Sequence, residues 1–192
     1  MRSLIRTALV AATIVPVILA VVTAPAAAVE LGKTCTNSDD GYTVGVPDGW
    51  YYNERVEGDG LDDIAACRFF SPSDFEVRPA SEASGIAISI TREETPPRAE
   101  GTETTVGGKG ATIIETQVGE GGYEPAGTRH YQYWIDMGAD WLVTGTSDGP
   151  NYVGGYDDNK AILDAIMESF TVRAASLPDT AMPLPPIGDD AS

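Results

Sequence analysis

The pentapeptide Gly145-Thr146-Ser147-Asp148-Gly149 fits G-x-S-x-G, in which a sharp strand-to-helix turn exposes a nucleophilic serine beside an oxyanion hole. Such a serine needs a base, and the chain holds one histidine, His130. In the hydrolase fold that histidine follows the serine, whereas His130 precedes Ser147. Pro150-Asn151 and Gly154-Gly155 continue a loop where a helix is needed. In a chain with 21 glycines a chance match is the expected reading. An exported serine hydrolase using Ser147 stands as the alternative to a binding role.

Other constellations fall short of chemistry. Gly107-Gly108-Lys109-Gly110 lacks the earlier glycine of a phosphate loop and has Gly110 where magnesium needs Ser or Thr, so it reads as a turn between strands. His130 alone cannot form a zinc site and reads as a hydrogen-bonded strand histidine. The acidic groups Asp39-Asp40, Asp59 with Asp62-Asp63, and Asp157-Asp158 do not follow the D-x-D-x-D-G calcium loop. They read as solvated charge and capping, with a calcium-binding envelope protein as a further alternative. Glu115, Glu120 and Glu124 have no spacing that indicates glycoside chemistry. No cofactor, metal or catalytic set is expected.

Cys35 and Cys67 are the two cysteines. In an oxidising compartment an even pair reads as a disulfide, and no C-x-x-C spacing suggests redox chemistry. Closing that loop stabilises by about 3–4 kcal/mol on the chain-entropy estimate.

The most suggestive feature is aromatic density. Tyr123, Tyr131, Tyr133, Trp134, Trp141, Tyr152 and Tyr156 fall within 34 positions. Along an extended strand Tyr131 and Tyr133 face one way, His130 and Trp134 the other. Core and cross-strand pairing accounts for much of this. The remainder marks a candidate binding surface of His130, Trp134, Trp141, Tyr152 and Tyr156, rimmed by the Gly/Tyr-rich loop 148–156, since aromatics anchor interfaces.

The elements that would position these residues are mostly short strands. Tyr42–Val46, a Pro47-Asp48-Gly49 turn and Trp50–Glu54 carry a hairpin signature. Residues 29–40 read as a lead-in held by Cys35. Ile64–Phe70 returns the chain, and 71–84 reads as a surface loop. Gly85–Thr91 is the clearest strand, with isoleucines on one side. A proline-bearing connection spans 93–102, a strand spans 111–118, and a second hairpin joins 128–136 to 141–147. One helix is expected over 158–170, its stripe formed by Ile162, Leu163, Ile166, Met167 and Phe170, with Asp157 or Asp158 as cap. An antiparallel sheet of six or seven strands covered by this C-terminal helix is an α+β fold.

Residues 1–28 have the order of an export signal: Arg2 and Arg6, an apolar run from Ala8 to Val22, then Ala26-Ala27-Ala28. The residues before Cys35 do not form a lipid-attachment box, so a free secreted protein with no membrane insertion after cleavage is expected. Removing Arg2 and Arg6 leaves 10 basic against 29 acidic residues, a net charge of −19. Such a surface repels nucleic acid and anionic lipid. Residues 173–192 are proline-rich and acidic without periodicity, a tail expected to be disordered. The Leu177-Pro178-Asp179-Thr180-Ala181 run lacks the apolar span and basic tail of a wall-sorting signal.

Tyr42-Thr43-Val44-Gly45-Val46-Pro47-Asp48-Gly49-Trp50 resembles the opening strand and V-P-x-G-W turn of PsbP-like domains. The segment 162–170, ending in Ser169-Phe170, is similar to their last helix, and the strand order between is similar. The resemblance spans residues 41–172. It implies an α/β/α sandwich, an antiparallel sheet with helices on both faces, and a role as a binding or assembly factor with no shared catalytic residue. The expectation is a secreted, non-enzymatic binding or accessory domain, its partner an unidentified protein or small ligand.

Overall fold

The computed structural model describes residues 29–57, 63–77 and 85–173. The signal-like segment 1–28 and the tail beyond 173 lie outside the described residues, as does much of the 71–84 loop.

Two antiparallel sheets share one core. The larger has seven strands: β3 (Tyr51–Tyr52), β4 (Phe69–Ser71), β5 (Ile88–Glu93), β9 (Trp141–Ser147), β8 (Arg129–Asp136), β7 (Lys109–Gln117) and β6 (Thr102–Val106), in that spatial order. The smaller orders β1 (Leu31–Asn37), β2 (Tyr42–Pro47) and β10 (Thr171–Val172). With the helix α1 (Tyr156–Glu168), this is an α+β fold.

Two expectations hold closely. β8 and β9 form the expected hairpin, and Gly107-Gly108 turns between β6 and β7. The helix stripe is buried at Leu163, Ile166, Met167 and Phe170 against Tyr42, Val44 and Val46 of β2 and Ile88, Ile90, Tyr131 and Ile135 of the large sheet. This burial, rather than helix propensity, holds α1 in place.

The first hairpin is different. β2 pairs with β1 and β10, whereas β3 pairs with β4 in the other sheet. The turn closes through the Trp50 amide donating to Pro47 O at 3.1 Å, with Gly49 at φ +76°, and sends the chain across the core instead of back along β2. The lead-in is itself a strand, β1, which occupies the edge of β2 that a hairpin partner would need. The helix starts at Tyr156, and its N-cap, Gly155, makes no side-chain capping bond. Asp157 and Asp158 lie inside the first turn and favour the positive end of the dipole from there.

Cys35 in β1 and Cys67 before β4 form the disulfide, with 5.9 Å between Cα atoms, tying the small sheet to the large one. Cys67 adopts φ +63°, a left-handed conformation costly to a residue with a Cβ. Its amide donates to Asn53 O at 2.9 Å, and its carbonyl accepts the Tyr42 hydroxyl at 2.9 Å. No helix among the described residues is long and apolar enough to cross a membrane.

Where the resemblance implies helices on both sheet faces, the described residues contain one helix, on one face. The other face carries the connection 94–101. Gly101 at its end lies so close to β7 that a Cβ would sit 2.2 Å from Ile113 O and 2.7 Å from Thr112 Cγ2, so only glycine fits.

Candidate functional site

Strand register sorts the aromatic hairpin. In β8, His130, Gln132, Trp134 and Asp136 stand opposite Ser147, Gly145, Val143 and Trp141 of β9. On the other side His130, Gln132 and Trp134 stand opposite Thr116, Ile114 and Thr112 of β7. Because side chains alternate, all of these share the helix-free face. Trp134 is half-buried and donates its indole N–H to Gln132 Oε1 at 3.2 Å. Gly145 makes room for this pair, since a Cβ there would meet Gln132 Cγ at 3.0 Å.

Between this row and the connection lies a cleft of about 350 Å³ lined by Pro96, Pro97, Ile114, Thr116, Gln132 and Trp134. A smaller hollow of about 200 Å³ lies beside Thr112, Asp136 and Trp141. Each tryptophan thus lines its own depression on one face.

At the far end of the same face, His130 Nε2 lies 2.6 Å from Glu124 Oε2. Ser147 is its direct cross-strand neighbour, yet no hydrogen bond joins them. Ser147 is 1% exposed, and its Oγ accepts the Gly149 amide at 2.9 Å. The Tyr152 amide then turns back to Gly149 O, and the helix begins only at Tyr156. No nucleophile elbow forms here: the hydroxyl is sealed, and no helix follows the serine directly.

The remaining two surface candidates separate from this row. Tyr152, half-buried, bridges in parallel to Ile86, just before β5. Tyr156 is 4% exposed and belongs to the helix side. Its hydroxyl donates to Glu115 Oε1 at 2.9 Å, and the Arg129 guanidinium lies 4.0 Å from its ring centroid. Burial, with the Glu115 acceptor, raises its pKa. Tyr123, by contrast, is fully exposed in the loop before β8.

The helix side holds a second group of polar residues. Tyr131 and Tyr133 both donate to Asp164 Oδ1, at 2.8 and 2.7 Å, their rings edge-to-face at 5.6 Å. Burial first, then the Asp164 acceptor, pushes Tyr131 up to about 12; Tyr133 is raised further. Lys160 donates to Glu115 Oε2 at 2.8 Å, and this bond, with that from Tyr156, lowers the Glu115 pKa. Asp164 is not evident from the sequence as a functional residue; its one signal is an acid flanked by the apolar stripe at Leu163.

Among the described residues no three metal-ligating side chains converge. The acids instead meet arginines: Asp39 and Asp63 at Arg55, Asp40 at Arg68 and Arg92, and Asp148 and Asp157 at Arg129. Asp59 and Asp62 lie outside the described residues.

No protein-family profile matches the chain, and no curated protein matches it. One similar solved structure is a protein from Bacteroides thetaiotaomicron VPI-5482, whose crystal structure at 1.50 Å resolution carries no functional description. It aligns with TM-score 0.36 and 13% identity over 76% of this chain and 50% of that one, so the match spans half of its length. At that level the likeness bears on neither fold nor function.

Proposed function

We propose that this chain is an exported, non-enzymatic binding or accessory domain that engages a protein partner through the helix-free face of β7, β8 and β9. The observation that carries this reading is the placing of Trp134 and Trp141 on one face, each lining a depression, where no helix among the described residues covers them. Half-buried tryptophans beside fixed clefts are what interface hot spots are made of. The exposed Tyr123 and the His130–Glu124 pair extend the same edge. The Cys35–Cys67 disulfide and the signal-like residues 1–28 support export. The PsbP-like resemblance points the same way, since those domains serve mostly as binding or assembly factors.

The test places a photo-cross-linking residue at position 132 in the exported protein, in its native envelope, and repeats the capture with Trp134→Ala. One recurrent partner is expected, with affinity falling about thirtyfold in the variant, as for a hot spot worth about 2 kcal/mol. Trp134→Ala leaving every detected interaction unchanged would remove this face from consideration. Labelling of Ser147 by a serine-directed probe would instead favour the hydrolase alternative.

A further inference from the structure

We propose that the cavity between β6, β7, β8 and the last two turns of α1 is a binding site for a primary alkylammonium group. It encloses about 390 Å³ and is lined by Thr104, Ile113, Tyr131, Tyr133, Asp164 and Glu168. It faces the helix side, distinct from the tryptophan face.

Three unfavourable electrostatic features meet at this cavity. Asp164 and Glu168 are four residues apart on one helix, so their like charges repel. Glu168 is the last residue of α1, at the negative end of its dipole, and the last turn holds no basic residue. Asp164 is half-buried, and no cation pairs with it: its Oδ1 takes both tyrosine hydroxyls, while Oδ2 and the Glu168 carboxylate have no partner among the described residues. Lys160, one turn earlier, is held by Glu115. A cation in the cavity relieves all three features together.

An independent contact indicates which cation. The Lys160 ammonium lies 4.2 Å from the centroid of the Tyr131 ring, so this tyrosine already carries one alkylammonium by cation–π attraction. The cavity repeats that chemistry: Ile113 and Met167 offer apolar surface to an aliphatic stem, and carboxylate and threonine oxygens accept N–H donors. Asp164 Oδ1 already takes two hydroxyls, so that carboxylate cannot receive a guanidinium fork, whereas one oxygen from each acid suits the compact, three-donor ammonium. Calcium takes six to eight oxygens. A free small amine and a lysine side chain share the required chemistry, and the acidic surface attracts either.

The experiment is an NMR titration of the exported protein with n-butylammonium chloride at constant ionic strength, read at the Tyr131 and Tyr133 rings and the Asp164 and Glu168 carboxylates. Parallel arms use sodium chloride, calcium chloride and a capped Gly-Lys-Gly peptide. Saturable shifts with butylammonium are expected, and affinity about tenfold weaker in Glu168→Gln, which loses one charge-assisted bond. Because Glu168 is exposed and makes no hydrogen bond or ion pair among the described residues, the unliganded variant is expected to melt no lower than the parent. Binding of the peptide assigns the site to a lysine side chain; exclusion of the peptide with retention of butylammonium assigns it to a free amine. The proposal is overturned by the absence of saturation, by an equal response to sodium, by calcium displacing the amine, or by unaltered affinity in Glu168→Gln.

Discussion

Tyr42 and Cys67 join the two sheets twice over: the tyrosine hydroxyl donates to the Cys67 carbonyl at 2.9 Å, beside the disulfide that Cys67 makes to Cys35. The same hydroxyl accepts Asn37 Nδ2 at 3.1 Å, and Asn37, fully buried, also accepts the amides of Asp39 and Asp40. A tyrosine that stacks on Phe170 at 5.5 Å thus also supports a cysteine held at positive φ.

Tyr42→Phe keeps the stacking and removes the hydroxyl, leaving a buried donor and a buried carbonyl short of a partner. The expected loss is about 1–3 kcal/mol. Thermal unfolding of the variant against the parent reads it directly, and an unchanged midpoint would show that water satisfies both groups.

Replacing both cysteines, Cys35→Ser with Cys67→Ser, removes a link across 32 positions. A loss of about 3–4 kcal/mol is expected by the chain-entropy account. Denaturant unfolding of oxidised parent, reduced parent and variant checks this, with the last two expected to coincide.

Ser169 closes the helix and holds β2 in one step. Its Oγ accepts the Gly45 amide at 2.7 Å while donating to Ile166 O at 2.6 Å. Ser169→Ala deprives the strand amide of that acceptor, and about 1–3 kcal/mol is expected to go. Hydrogen exchange at Gly45 provides the local measurement, and protection equal to the parent's would count against the assignment.

Alkaline pH is expected to weaken the fold through its buried tyrosines. The unfolded chain releases each proton near the ordinary value of 10.0, whereas folded Tyr131 holds its proton to about 12 and Tyr133 and Tyr156 hold theirs longer. Stability is therefore full below pH 10.0 and falls as pH rises toward about 12. Melting temperature followed across this range is expected to decline less steeply in Tyr131→Phe, and identical slopes would exclude Tyr131 as a source.

Gly101→Ala tests how the cleft is held. A Cβ at 2.2 Å from Ile113 O must lift the 94–101 connection from β7. Red-shifted tryptophan emission is expected, from Trp134 losing its cover; Trp134→Phe in the same background should abolish the shift.

Legibility in the sequence followed the range of the interactions. The β8–β9 hairpin and α1 are encoded by local periodicity and short turns, and both lie close to where the pattern puts them. The opening hairpin was misleading because alternation tells which face of β2 is buried but not which strand lies beside it. β1 and β10 take those places from opposite ends of the domain. At the candidate site, alternation correctly separates Trp134 from Tyr131 and Tyr133, while the burial of Tyr156 depends on Glu115 and Arg129, distant in the chain. Asp164 was invisible for the same reason, since its partners lie more than 30 residues away.

The placing of β10 beside β2 has a kinetic meaning. Thr171 pairs with Thr43, and Ser169 reaches back 124 positions to Gly45, so the sheet that opens the domain is finished by nearly its last described residues. A chain emerging N-terminus first, from a ribosome or through a membrane channel, exposes the free edge of β2 until those residues arrive. Closing so long a loop is slow relative to local turns. The smaller sheet therefore cannot be completed until the segment that follows α1 is available to it.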